Sequence, residues 1–219
     1  MTARRRIPPS PNPSPRERGR VSLSLREKAR VKETGTVPRR WQTELRSVLI
    51  TETQLRRRVR ELSRKIERDF AGRDLVIVSL LNGTVLFLAD LIRRLSLPLR
   101  LDFIGVSSYR EGTESRELIF TKELRLDVRG RDVLVVDDIL DTGKTLKYVL
   151  AKLRELKPRR IKVCVLLEKR ARRLEKVCAD YIGFSIPDLF VVGYGLDFAE
   201  RYRNLPFVGV LHPQLYQIG

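Results

Sequence analysis

The stretch Val133-Leu-Val-Val-Asp-Asp-Ile-Leu-Asp-Thr-Gly-Lys-Thr-Leu146 predicts a buried strand that leads through a short turn into a helix. Residues 133–136 are apolar and mostly β-branched, which is the pattern of a strand covered on both faces. From residue 146 to residue 156 the apolar side chains recur three and four positions apart, which is helical spacing. The stretch therefore predicts a strand–turn–helix unit of an α/β protein, with three carboxylates and a glycine-containing turn at the junction.

The turn at residues 141–145 has the chemistry of a phosphate site. It presents backbone N–H groups, two hydroxyls and an ammonium at the start of a helix, where exposed amides and the helix dipole favour anions. The carboxylates serve another purpose: Asp137 and Asp138 can accept hydrogen bonds from a sugar diol, and Asp141 can accept a proton. These features together indicate a site for a ribose phosphate. The plain alternative is a set of solvated acids at a strand end, and a Walker loop is excluded because its Gly-x-x-x-x-Gly-Lys spacing is absent.

Helical and strand patterns alternate along the chain from residue 41 onward. Thr51 can cap a helix whose apolar residues recur at helical spacing from Leu55 to Ile66. This alternation indicates a parallel sheet with helices on both faces, and ligands of such sheets lie outside the carboxyl ends of the strands. We expect residues 180–219 to form most of a small hood over the cleft. The remaining predicted elements are strands at 76–81, 99–106 and 161–167, a helix at 85–95, a mobile polar loop at 110–117 and a hairpin arm at 118–126.

Half of the net charge of +18 lies at the N-terminal end of the chain. Residues 1–40 hold twelve Lys and Arg against three Glu, together with six of the eleven prolines. This composition predicts a disordered basic tail, followed by one domain over residues 41–219. The tail is either a passive appendage, such as an over-long start to the reading frame, or an arm that contacts nucleic acid or another anionic surface. The excess charge on the remainder suits a substrate that carries several phosphates.

Composition also limits the class of protein. No apolar run approaches the ~20 residues of a membrane span, so we expect a soluble, cytoplasmic protein that does not contact a membrane. Cys164 and Cys178 lack metal-ligand or redox spacing and are predicted to be buried free thiols in a reducing compartment. His212 is the only histidine, so the sequence supports neither a zinc site nor a Ser-His-Asp triad.

Residues 46–211 resemble the hypoxanthine-guanine phosphoribosyltransferases, which handle 6-oxopurines and belong to the type I phosphoribosyltransferase family. Five landmarks occur in the order of that family, and five in one order are far more specific than any one of them. They are LLNGT at 80–84, SSY at 107–109, VVDDILDTGKT at 135–145, LEKR at 167–170 and IPDLFVVGYGLD at 186–197.

The resemblance implies a purine salvage enzyme with a central parallel sheet, flanking helices and a small hood made from C-terminal and N-terminal residues. Such an enzyme transfers the 5-phosphoribosyl group of phosphoribosyl pyrophosphate (PRPP) to hypoxanthine or guanine, and the products are IMP or GMP and pyrophosphate. Mg²⁺ is the implied cofactor, and a homodimer or homotetramer is the implied assembly.

The resemblance also assigns roles to individual residues. Asp141 is implied as the base at purine N7, and the first peptide of residues 81–83 is often cis in the family. Asn82 stands where many relatives have Lys, so Arg203, or else Arg173, is left to supply positive charge near pyrophosphate. PRPP is implied to contact Asp137, Asp138, Asp141, Thr142, Gly143, Lys144 and Thr145, and its pyrophosphate group is implied to contact Leu81, Asn82, Gly83 and Arg203. The implied purine contacts are Lys169, Phe190 and Val191, and the implied metal ligands are Asp197, Asp137 and Asp138. Ser108 and Tyr109 are implied to belong to a flexible loop.

Two other readings remain open at this stage. One is a xanthine- or uracil-type transferase or regulator of the same fold, although the regulator usually lacks a carboxylate at the position of Asp141. The other is a nucleic-acid-binding protein that depends on the basic tail. Preference among hypoxanthine, guanine and xanthine is not encoded in side chains, since backbone groups read that edge of the base.

Overall fold

The computed structural model describes residues 35–109 and 117–216, and for residues 108, 109 and 117 the backbone alone. Residues 1–34 of the predicted tail and residues 110–116 of the loop predicted at 110–117 lie outside the described residues. The described part contains nine strands and three α-helices. They are β1 (Leu45–Ile50), α1 (Glu52–Phe70), β2 (Leu75–Leu81), α2 (Val85–Ile92), β3 (Leu99–Tyr109), β4 (Glu117–Lys122), β5 (Asp132–Leu140), α3 (Lys144–Glu155), β6 (Arg160–Lys169), β7 (Tyr181–Ile186), β8 (Val191–Val192) and β9 (Val208–Leu211).

The larger sheet has six strands in the order β4-β3-β2-β5-β6-β7. Neighbouring strands from β3 to β7 run parallel, and β4 pairs with β3 in the antiparallel direction. The predicted parallel sheet is confirmed. The predicted hairpin arm contains β4, which extends this sheet by one edge strand.

The sheet is buried on both faces because its strands alternate between two cores. Leu75 and Ile77 of β2 belong to a core that includes the apolar faces of α1 and α2. Val76 and Val78, which point the other way, belong to a core with α3. The near-continuous apolar runs that predicted covered strands arise from this arrangement.

Helix α1 begins where the sequence predicts. The Thr51 hydroxyl accepts a hydrogen bond from Gln54 N at 3.3 Å, and the Gln54 side chain accepts one from Thr51 N at 2.7 Å. This reciprocal pair is a capping box, and such a cap typically contributes ~1 kcal/mol to helix stability. The cap fixes the start of α1 directly after β1.

The hood contains a second sheet of three antiparallel strands in the order β1-β9-β8. Its strands come from both ends of the domain, in agreement with the implied hood. Residues 35–40, which the sequence analysis assigned to the tail, contact this sheet: Gly35 pairs with Val48, and Val37 is buried in the core of the hood. Strand β7 lies within residues 180–219 but pairs with β6 at the edge of the larger sheet. Long-range strand pairing sets the boundary between tail and domain and the boundary of the hood, and a local sequence pattern cannot predict such pairing.

The two cysteines differ in environment. Cys164 is buried in β6, and burial raises the pKa of its thiol. Cys178 is exposed, so the prediction of two buried thiols is wrong for Cys178. It precedes β7 in an irregular segment where alternating residues face solvent. Among the described residues, no helix is both long and apolar enough to cross a membrane.

Candidate functional site

The site forms where β5 leaves the sheet and α3 begins. Strand β5 continues through both Asp137 and Asp138 to Leu140, because its backbone pairs with β6 as far as Glu168. Gly143 precedes the helix with φ = 87°, a left-handed conformation that glycine adopts without steric cost. The amides of Thr145 and Leu146 have no acceptor within the helix because of their position, so they remain available to an anion. The Lys144 amide donates to Thr142 Oγ1 at 3.4 Å.

A cleft of about 270 Å³ lies over this junction. It is lined by most of the predicted PRPP-binding residues and by Leu81 from the end of β2. Lys144 is exposed at the start of α3 and is absent from the lining. The lining residues are Leu80, Leu81, Val106, Asp137, Asp138, Ile139, Leu140, Asp141, Thr142, Gly143, Thr145 and Leu146.

The turn at residues 141–145 is stabilised by hydrogen bonds from the segment that follows β6. The amides of Leu174 and Glu175 donate to Thr142 O at 3.0 and 3.1 Å. The Arg173 guanidinium donates to Asp141 O at 3.2 Å, to Leu140 O at 3.4 Å and to Val177 O at 2.6 Å. Arg173 is therefore occupied with backbone carbonyls, and the structure does not support the suggestion that it supplies charge to pyrophosphate. Sequence reasoning missed this brace because its contacts join segments about 30 residues apart.

Asp137, which is buried, and Asp138, which is half-buried, form an acidic pair in the lining of the cleft. Burial raises the pKa of Asp137 well above its usual range, and the neighbouring Asp138 carboxylate adds to this effect. Burial also raises the pKa of Asp138, although a hydrogen bond with Asp137, nearby amides and the charge of Arg203 act in the opposite direction. Both carboxyls thus lie where a hydroxyl-bearing or cationic ligand would compensate for lost hydration.

Asp141 has an acceptor atom without a hydrogen bond. Its Oδ1 is buried and has no hydrogen-bond partner among the described residues. Asp141 forms an ion pair with Arg172, whose Nε lies 3.5 Å from Oδ1, beyond the usual range of an N–H···O bond. A buried acceptor that is left unpaired is costly, so this atom is ready to accept a ligand N–H.

The predicted purine contacts lie at the end of β6 and at the base of the hood. Lys169 is only 6% exposed, and its Nζ lies 3.6 Å from Oδ1 of Asp188. The ring of Phe190 stacks on Tyr216 with centroids 4.7 Å apart, so one face of Phe190 is covered. Val191 is buried in β8, where it pairs with β9.

The predicted pyrophosphate contacts follow β2. The peptide bond between Leu81 and Asn82 is cis, as the resemblance predicts. Gly83 lies so close to Asp138 that a Cβ at this position would fall 1.7 Å from Oδ2 of the carboxylate. Arg203 pairs with Asp197 at 3.0 Å and with Glu200 at 3.1 Å, and it donates to Gly195 O at 2.9 Å. Its charge partly offsets the rise in the pKa of Asp138, so it lies on this side of the cleft.

The three predicted metal ligands do not form one cluster. Among the described residues, no group of three or more His, Cys, Asp and Glu side chains is close enough to hold a metal ion by itself. Asp197 instead pairs with Arg203 and accepts a hydrogen bond from Glu200 N at 3.0 Å. The predicted flexible loop is described only at its ends: the backbones of Ser108 and Tyr109 belong to β3 and pair with β4.

Comparison with known proteins agrees with this geometry. Residues 50–199 match the phosphoribosyl transferase domain family. The chain is 45% identical over 174 residues to the bifunctional protein TilS/HprT of Listeria monocytogenes, covering 79% of this chain and 27% of that longer relative. It is 42% identical over 175 residues to the hypoxanthine-guanine phosphoribosyltransferase of Bacillus subtilis, covering 80% of this chain and 97% of the relative.

A solved structure gives the same result. The crystal structure of a hypoxanthine phosphoribosyltransferase from Staphylococcus aureus superimposes with a TM-score of 0.77 at 41% identity. The superposition covers 83% of this chain and 99% of that one. Sequence similarity therefore extends over nearly the whole length of the Bacillus subtilis relative, and the fold is shared over nearly the whole length of the solved structure.

Proposed function

Since the chain belongs to the phosphoribosyltransferase family, among its hypoxanthine-guanine members, we propose that it transfers the phosphoribosyl group of PRPP to hypoxanthine or guanine. One observation carries this proposal: Oδ1 of Asp141, which accepts no hydrogen bond among the described residues, lies in the same cleft as the 141–145 turn and the carboxyls of Asp137 and Asp138. One cleft thus contains a proton acceptor, an anion site and a diol site, which together suit PRPP. The alternative tail-dependent role rests on residues outside the described part and stays a prediction.

The turn would bind the 5-phosphate of PRPP. Amides at the start of α3 and the hydroxyls of Thr142 and Thr145 donate to its oxygens, and the helix dipole stabilises the negative charge. The brace from Arg173 fixes the carbonyls of Leu140 and Asp141, which keeps the amides of the turn directed into the cleft. Asp137 and Asp138 would accept hydrogen bonds from the two ribose hydroxyls.

The reaction exchanges one bond at ribose C1 for another. The C1–O bond to pyrophosphate breaks and its electrons leave with pyrophosphate, while purine N9 bonds to C1 through an oxocarbenium-like state, as in glycoside hydrolysis. Asp141 would take the proton from purine N7, so that the product nucleotide is neutral at the ring. General-base assistance of this kind typically contributes ~10²–10⁴-fold to the rate.

The base would be held by Lys169 and Phe190. The buried ammonium of Lys169 donates to O6, which favours a 6-oxo over a 6-amino purine because the amino group offers no equivalent acceptor. Phe190, backed by Tyr216, offers an aromatic face for stacking. The backbone at Val191 would meet the 2-position edge.

The donor chemistry fits Mg²⁺, a hard cation that prefers oxygen ligands. Asp137 and Asp138 present carboxylate oxygens to the cleft, and Asp197 offers a third oxygen donor beside Arg203. When bound, Mg²⁺ would neutralise part of the charge of pyrophosphate and orient its oxygens. Because the described residues do not form a cage of their own, we propose that substrate oxygens complete the coordination.

The proposal is tested by incubating the purified chain with PRPP, Mg²⁺ and, separately, hypoxanthine, guanine, xanthine, adenine and uracil. We expect IMP or GMP, and we expect EDTA to abolish turnover until Mg²⁺ is restored. Turnover of xanthine or uracil alone would replace the proposed substrate class, and no product with any base would refute the activity. Sedimentation of the same sample tests the implied homodimer or homotetramer, and a cytoplasmic location agrees with two free cysteines.

A further inference from the structure

Four charged side chains of alternating sign form a row that begins at Asp141 in the lining of the cleft. Arg172 Nε is 3.5 Å from Asp141 Oδ1, and another nitrogen of Arg172, NH1, is 3.7 Å from Asp188 Oδ1. The same Asp188 oxygen is 3.6 Å from Lys169 Nζ. The row therefore joins the proposed base at one end to the proposed O6 donor at the other.

We infer that Arg172 is a positioning residue for Asp141, and that Asp188 fixes the positions of the Arg172 and Lys169 side chains through its ion pairs with both. This inference rests on the proposed function. Asp141 Oδ1 is buried and accepts no hydrogen bond among the described residues, and the Arg172 guanidinium provides an opposite charge beside it. At 3.5 Å the guanidinium attracts the carboxylate without using its lone pair, which stays free for the purine N7–H.

The neighbouring arginines have different partners, and this difference separates Arg172 from them. Arg170 donates to Glu168 at 2.7 Å, and Arg173 binds backbone carbonyls under the turn. Arg170 and Arg172 have side chains of similar exposure, 54% and 50%. Arg170 is thus a matched control: the same residue type on the same segment, with no ion pair to Asp141.

Asp188 explains how Arg172 keeps its place despite its exposure. An exposed ion pair of two flexible side chains gains little by itself. Asp188 is shared by two cations, one of them the buried Lys169, so the position of Arg172 is tied to that of the O6 donor. Loss of Asp188 and loss of Arg172 should therefore affect the same step, and their effects should be non-additive.

The test compares Arg172→Met, Arg172→Lys, Asp188→Asn, the double variant Arg172→Met with Asp188→Asn, and the control Arg170→Met in the full chain. With PRPP, Mg²⁺ and hypoxanthine, we expect Arg172→Met to lower kcat about tenfold, a fraction of the whole contribution of a general base. KM for PRPP should stay within about twofold. Arg172→Lys should retain most of kcat, added guanidinium ion should partly restore Arg172→Met, and Arg170→Met should lie within about twofold of wild type.

Each other outcome overturns the inference. An unchanged kcat in Arg172→Met would remove the positioning role, and a loss confined to KM for PRPP would make Arg172 a phosphate contact instead. Additive effects in the double variant would break the link through Asp188. If Arg172→Met unfolds, Arg172→Lys and Asp188→Asn carry the test by their kcat values. An inactive wild-type chain would refute the proposed function and the inference with it, whereas an active wild type beside an equally active Arg172→Met refutes the inference alone.

Discussion

Replacing Asp102 with Asn removes the most fully hydrogen-bonded carboxylate outside the cleft. Asp102 is 6% exposed in β3 and accepts hydrogen bonds from Phe103 N at 2.8 Å, Lys122 Nζ at 2.9 Å, Arg125 N at 2.6 Å and Leu126 N at 2.9 Å. Burial opposes ionisation, but these donors outweigh it and lower the pKa of Asp102 from 3.8 to about 2. The carboxylate ties the segment after β4 to the sheet.

The lowered pKa of Asp102 determines how much its ionised carboxylate contributes to the free energy of unfolding and how this contribution depends on pH. A difference of about 1.8 pKa units between folded and unfolded chain corresponds to about 2.4 kcal/mol of stability. Because the folded pKa lies below the unfolded one, this contribution is fully present above about pH 5 and is lost as the pH falls through 2. At pH 3 about 1.3 kcal/mol remains by the same relation.

The assay is urea denaturation of wild type and Asp102→Asn at pH 7 and pH 3, followed by circular dichroism. We expect the variant to be less stable by about 2 kcal/mol at pH 7, with a gap about half as large at pH 3. Asp127→Asn is the control, since Asp127 is exposed and accepts one hydrogen bond, from Arg129 N at 2.9 Å. A gap that is equal at both pH values, or a control as destabilised as Asp102→Asn, would refute the reasoning.

Three further predictions concern chemistry. Asp141→Asn should lower kcat by ~10²–10⁴-fold with little change in the affinity for PRPP, as measured by steady-state kinetics and calorimetry, and an unchanged rate would remove Asp141 from the role of base. Lys169→Ala should reduce the ratio of kcat/KM for hypoxanthine over adenine, and an equal ratio would refute the O6 contact. Iodoacetamide should label Cys178 in the folded chain but leave Cys164 unmodified until denaturant is added, because Cys164 is buried and its pKa is raised; mass spectrometry of tryptic peptides decides this.

The edge of the sheet that carries the candidate site could be predicted from the sequence because its signals are local. Strand periodicity, the 141–145 turn and the cap at Thr51 each act within a few residues, and each is found where it was predicted. The helix predicted at 85–95 ends earlier, at Ile92. Beyond it the amides of Arg94 and Leu95 donate to the carbonyls of Leu91 and Ile92, three residues back, which is the hydrogen bonding of turns.

Features that depend on distant segments were not predictable in the same way. The brace of Arg173 under the turn and the assignment of β7 to the larger sheet both depend on contacts that a single sequence does not display. Likewise, Asp188 has no local pattern that sets it apart, and its ion pairs with Lys169 and Arg172 follow from the meeting of two strand ends. The roles of individual residues were implied by the resemblance, whereas the contacts of those residues come from the structure.

The central claim is that the turn at 141–145 and the acids beside it hold a phosphorylated ribose. Isothermal titration of the full chain with PRPP in the presence of Mg²⁺ tests this directly, with Asp137→Asn combined with Asp138→Asn as the matched variant, since amides preserve shape without charge. We predict saturable heat with one PRPP per chain in wild type and at least tenfold weaker binding in the variant. No heat in wild type, or equal affinity in both proteins, would contradict the account.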